Sequence, residues 1–190
     1  HFCFLEERSL GDAAFAMGLP SDGIEHYKRS IDKAPDQDKS SVYQEFIKHL
    51  KKASLEFMDT YIEICEDAYR WVSVDIGDKD LSGWVMGDLI DGIYSKYQRD
   101  KSPEVLERYI NLNLNYMELC KEIDIRLAGV YTGINLGLFL EELGHPKSEQ
   151  ILKLAADDHR KVVFSHVGWP KELEARGYHS EGWISRMWEG

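Results

Sequence analysis

The chain has 190 residues, 43% of them apolar, enough for one core of ordinary size or a short run of helical units. Thirty-four acids against 23 bases give a net charge of −11, which repels nucleic-acid phosphates and anionic membranes alike. No apolar run approaches the ~18 residues of a membrane span, and no charged-then-apolar leader opens the chain. The expectation is a cytoplasmic protein that binds neither nucleic acid nor membrane. Cys3, Cys65 and Cys120 are widely spaced and odd in number, so they write neither a disulfide framework nor a zinc knuckle. The first residue is His1 rather than Met, which suggests a tag remnant or a longer chain upstream.

Apolar residues recur at intervals of three and four almost throughout, and no stretch sustains the period-two alternation of a strand. The reading is all-α. A first helix is expected over residues 5–17, ending at Gly18. A second begins after Ser21, whose hydroxyl can cap it, and stops before Pro35. From residue 40 to about 74, Val42, Phe46, Leu50, Ala53, Phe57, Tyr61, Ile64, Ala68 and Trp71 keep one helical seam, which fits either one long helix or two stacked ends. Residues 76–80 read as a loop.

Residues 81–97 resume the helical pattern, with Gly83, Gly87 and Gly92 weakening it unless they admit a close crossing. Ser102, Pro103 and Glu104 form a start signal: a capping hydroxyl, a proline at the first helical position and an acid at the positive helix end. That helix should run to about Ile125, and two more follow. The organisation expected is a helical domain over 1–167 and an irregular tail over 168–190, in which Trp169, Trp183 and Trp188 dock on this domain or on a partner.

Residues 136–152, LGLFLEELGHPKSEQIL, admit two incompatible readings. Glu142 and His145 form an E-x-x-H pair, the spacing that bundle di-metal sites use. Alternatively, Gly144, His145 and Pro146 are punctuation between two helices. A di-metal bundle needs a second such pair, which the sequence lacks, and Gly144 and Pro146 bracket the histidine, so the turn is the preferred reading. The metal alternative would draw on Glu142, His145 and His159. Glu45, His49, Glu63, Glu66, Asp67, Glu118, Glu122 and Asp157 are further groups that a bundle could bring together, although a solvated face explains most of them. The like-charged neighbours Glu63/Asp67 and Glu118/Glu122 hint at a nearby cation or basic partner. No nucleophile elbow, phosphate loop or catalytic Cys/His motif is present, and no cofactor is expected.

Leu10 and Gly11, then Gly18, Gly23, Tyr27, Ser30 and Pro35, fall at the positions where a tetratricopeptide repeat carries its Leu-Gly pair, turn glycine, small, aromatic and small residues and closing proline. Leu136 and Gly137 precede Gly144 by the same seven residues, and each turn reads Gly-x-Pro. With one residue deleted, Ser148, Leu152 and Ala155 then take the small, bulky and small positions. About a third of the chain therefore resembles tetratricopeptide proteins. The resemblance implies antiparallel helical hairpins stacked as an α-solenoid or bundle, and a protein-interaction role. It also implies a groove lined by the first helix of each hairpin, which makes Asp12, Phe15, Tyr131, Leu138 and Glu141 the candidate contacts. The acidity of the chain suggests a basic peptide or another protein domain as the partner. A Glu/His metalloenzyme is the second reading. The third is a small-molecule sensor whose pocket is lined by Phe57, Tyr61, Tyr69, Trp71, Trp84, Tyr94 and Tyr97.

Overall fold

The computed structural model describes residues 2–53, 55–162 and 170–178, and among these it is helical with no strand. The chain is all-α and divides into two compact units, His1–Ser102 and Pro103–Gly190, within each of which neighbouring helices pack against one another. Among the described residues no helix is long and apolar enough to cross a membrane.

The first unit begins with α1 (Phe2–Ala16) and α2 (Pro20–Lys33), an antiparallel hairpin. Gly18 turns it with φ +74°, a conformation that costs glycine little. Its N–H reaches back to the Phe15 carbonyl and the Leu19 N–H to the Ala14 carbonyl, which satisfies two of the open carbonyls in the last turn of α1. The helices approach closely where Gly11 faces Tyr27: a Cβ on the glycine would lie 2.6 Å from Tyr27 Cδ2. Tyr27 fills the gap between the helices and is wholly buried, and the buried Ser30 hydroxyl donates to the Phe4 carbonyl at 2.8 Å. Ser21 does not cap α2. Leu19 holds the cap position and Pro20 the first turn, where its missing N–H costs nothing.

Pro35 ends the hairpin in an extended conformation, and α3 (Asp36–Lys52) starts directly after it. The continuous seam from residue 42 to 71 belongs to two helices. A 3₁₀ turn at Leu55–Phe57 separates α3 from α4 (Met58–Arg70). Both helices bury one face, so the apolar spacing carries across the break. A π-helical turn, Trp71–Ile76, follows α4 and closes at Gly77, whose N–H bonds the Val72 carbonyl five residues back. Asp78 then caps α5 (Lys79–Asp100) by accepting the Leu81 N–H at 2.9 Å.

Neighbouring helices supply the core of this unit, and alternate helices are bridged as well. Asp12 of α1 meets His49 of α3, Lys28 of α2 meets Glu63 of α4, and Lys51 of α3 meets Asp88 and Asp91 of α5. Helices α1, α3 and α5 therefore adjoin along one side of the unit.

The second unit contains α6 (Pro103–Glu122), α7 (Arg126–Glu142), α8 (Ser148–Lys161) and the short α9 (Lys171–Glu174). Helix α6 stops three residues before Ile125 because Asp124 turns left-handed, at φ 59°, and the Ile125 N–H bonds the Cys120 carbonyl. Helix α7 packs against both α6 and α8. One core cluster joins Ile110, Leu136, Leu140 and Ile151, and another joins Val130, Ile134, Leu152, Ala155, Ala156 and Leu173. Leu173 lies in a segment that the sequence assigns to an irregular tail; its complete burial pins α9 to α7 and α8. Trp169, Trp183 and Trp188 lie outside the described residues.

Candidate functional site

In the first unit, α3 turns Val42, Tyr43, Phe46, Ile47 and Leu50 into the core and leaves a polar strip of Glu45, Lys48 and Lys52 on the opposite side. A cleft opens on each side of this strip. One, of about 370 Å³, lies toward α5 and is lined by Gln44, Lys48, Lys51, Trp84 and Asp88, with Trp84 exposed on its α5 edge. The other, of about 430 Å³, lies toward the α1–α2 turn and is lined by Phe15, Pro20, His49, Glu56 and Phe57. Lys52 borders both.

Of the expected contact residues, Phe15 lines the second cleft, and Asp12 is bonded to His49, which also lines it. The Phe15 ring stacks on the His49 imidazole with centroids 4.7 Å apart and planes 6° from parallel. Asp12 Oδ1 takes the His49 Nε2 at 2.9 Å and also accepts the Tyr27 hydroxyl. Burial, and then the adjoining Asp12 carboxylate, push the ionisation of Tyr27 far up, so the phenol stays a donor. Asp12 is thus engaged inside the chain. So are Asp88 and Asp91, whose hydrogen bonds to Lys51 hold that ammonium above its usual range.

The other three expected contacts lie in the second unit. Tyr131 is exposed on α7, whereas Leu138 is partly buried against the Val130 cluster. Glu141 is held by Arg176 through Nε at 3.0 and 3.2 Å and through a further bond from the second guanidine nitrogen. That pairing lowers the Glu141 acid range, so the group is not a free carboxylate awaiting a basic partner.

The E-x-x-H stretch is a helix end. Helix α7 closes at Glu142, Gly144 takes φ +65°, and the His145 N–H bonds the Leu140 carbonyl at 2.8 Å. His145 lies beyond the helix and shares no face with Glu142; its Nδ1 accepts the Lys147 N–H at 3.2 Å. The bonding pattern is the one found at Gly18, so the two hairpins turn by the same device. His159 is buried on α8, where desolvation lowers its pKa. Among the described residues, no group of three or more His, Cys, Asp or Glu is placed to hold a metal ion.

The aromatic middle of the chain is divided between core and surface. Tyr61, Trp71 and Tyr97 are buried, Trp84 and Tyr94 are exposed, and Phe57 and Tyr69 are half-buried. The like-charged helix neighbours find bases within the chain: Glu63 meets Lys28, Asp67 meets Arg70, and Glu118 meets Lys121. Lys48, Lys51 and Lys52 were not among the sequence candidates, because their shared exposure depends on which side of α3 faces α1 and α5. No protein-family model matches the chain, and no curated protein matches it.

Proposed function

We propose that this chain is a protein-interaction module that receives a peptide or partner helix along the side of its first unit formed by α1, α3 and α5. The observation that carries the reading is the pair of clefts flanking the exposed strip of α3, bordered in common by Lys52. The resemblance to tetratricopeptide proteins supports it, since the first helices of successive hairpins line the groove in that family. Exposed Trp84 beside one cleft and half-buried Phe15 beside the other supply the aromatic surface on which binding energy concentrates. Because Asp12, Asp88 and Asp91 already meet partners within the chain, a segment bringing apolar and aromatic side chains fits better than one recognised by positive charge alone.

Selection of displayed peptides against the whole chain, followed by amide-shift mapping of the winners, tests the reading. Shifts concentrated on α1, α3 and α5, with binding weakened by Trp84→Ala, are expected. Winners that map to α2 and α4, or to the second unit, overturn it.

A further inference from the structure

We infer that the outward face of α1 is a self-association surface, on which a second copy of this chain lays its own α1 antiparallel about a two-fold axis at Gly11. The inference goes beyond the partner groove and does not depend on it.

Apolar residues are spread around α1 rather than gathered on one side. Phe4, Gly11 and Ala14 are buried and Phe15 turns to His49 of α3, yet Leu5 is 46% exposed, Leu10 52% and Met17 68%. Met17 continues the helical path through its N–H bond to the Ala13 carbonyl at 2.9 Å. Ser9, Ala13 and Ala16 are exposed as well. Among the exposed described residues of α1, Glu6 alone is charged, whereas α2 exposes Asp22, Glu25, Lys28, Arg29, Asp32 and Lys33. A helix apolar on several sides is ordinarily covered on several sides.

The order of residues along this face selects what covers it. Leu5, Ser9, Ala13 and Met17 form one row at intervals of four, the ridge that packs at about −50° in the commonest helix crossing. The row runs large, small, small, large about Gly11, so it matches itself when reversed, as a two-fold interface requires. An antiparallel copy sets Leu5 against the partner's Met17, while Ser9 and Ala13 let the backbones approach at the crossing. Charge fixes the direction. A parallel copy would set the two Glu6 carboxylates side by side, whereas the antiparallel one holds them roughly 15 Å apart, beyond the ~8 Å screening length at physiological salt. Each copy carries a net charge of −11, so copies repel over most of their surface and can meet on this nearly uncharged face. One crossing of a 15-residue helix, about 22 Å long, covers less than the ~800 Å² per partner of a standard interface. The dimer is therefore weak, half-formed at about 10–500 µM.

Sedimentation velocity of the whole chain, from about 5 µM to about 1 mM, tests this under reducing conditions that keep the exposed Cys3 from cross-linking. A monomer–dimer equilibrium that tightens with added salt, as screening relieves the repulsion, is expected. Ala13→Glu sets two acids at the crossing and should weaken the dimer by about tenfold or more, with the helical circular dichroism unchanged because position 13 is exposed. Leu143→Glu, at an exposed leucine of the second unit, should leave the dimer intact. Leu5→Glu and Met17→Lys should each weaken it. An equal mixture of those two variants should associate more tightly than either alone, since antiparallel pairing sets the new acid beside the new base. A chain that stays monomeric at about 1 mM, a larger assembly, a dimer that salt dissociates, or one that Ala13→Glu spares or Leu143→Glu weakens equally overturns the surface. A mixture no tighter than its parts overturns the antiparallel pairing.

Discussion

Gly137 of α7 and Leu152 of α8 share one volume: a Cβ on the glycine would lie 2.6 Å from the leucine Cγ and 2.7 Å from its Cδ2. The contact sets the approach of the two helices. Gly137→Val must push α8 outward or force Leu152 off its rotamer, at a cost of about 1–3 kcal/mol or more. His145→Ala removes only one half-buried acceptor in the following turn, and should cost less than about 1 kcal/mol. Urea unfolding of both variants checks the ranking. Equal costs would mean that the helices do not depend on this approach.

A second pair of glycines separates backbone from packing effects. A Cβ on Gly11 meets the Tyr27 ring at 2.6 and 2.9 Å, whereas one on Gly87, in the middle of α5, meets nothing within 4 Å. Gly87→Ala should therefore stabilise by up to about 1 kcal/mol through helix propensity. Gly11→Ala should destabilise despite gaining the same propensity. Thermal denaturation of the two variants is expected to move the midpoint in opposite directions.

Glu7 of α1 accepts hydrogen bonds from Lys33 at 2.7 Å, His26 at 2.8 Å and Arg29 at 3.2 Å, all on α2. These donors, Lys33 foremost, pull its acid range down from 4.5 to about 2. A carboxyl depressed on folding adds stability that is complete above its unfolded value and disappears as pH falls through its folded one. The difference in unfolding midpoint between wild type and Glu7→Gln should hold steady above about pH 4.5 and shrink towards pH 2. A difference that grows on acidification would reverse the assignment.

Burial pushes the Cys65 thiol up to about 12, and it raises Cys120 as well. Both are buried, whereas Cys3 is exposed. Since the thiolate is the reacting species, brief iodoacetamide treatment of the folded protein should label Cys3 first. Labelling of Cys65 and Cys120 should require denaturant. Peptide mass mapping reads the order directly.

The hairpins were legible where glycine and proline punctuate them. Gly18, Pro35, Gly144 and Pro103 mark real boundaries because each has a backbone conformation or a missing donor that a helix interior cannot use. The break between α3 and α4 carries no such residue, and its apolar spacing runs on unbroken, so the sequence left one helix and two equally acceptable. The π-helical turn leaves no spacing signature either, since it differs from an α-helix by a single residue. At the candidate site, Asp12, Phe15 and His49 were each visible as residues of interest. Their convergence was not, because it depends on how α3 sits beside α1. The pairing of Glu141 with Arg176, 35 positions away, was hidden for the same reason.

The π-helical turn after α4 also has a meaning for length variation. It houses one residue more than an α-helical turn, with Trp71 and Val72 facing inward and Val74 and Ile76 left on the outside. Trp71 rests against Tyr43 of α3, which fixes the chain before the widened turn, and the Asp78 cap fixes it after. Between those two anchors, the α4–α5 hairpin can absorb the loss of one residue by tightening to an α-helical path. Single-residue deletions at positions 73–75 are therefore the length changes that this unit should tolerate best.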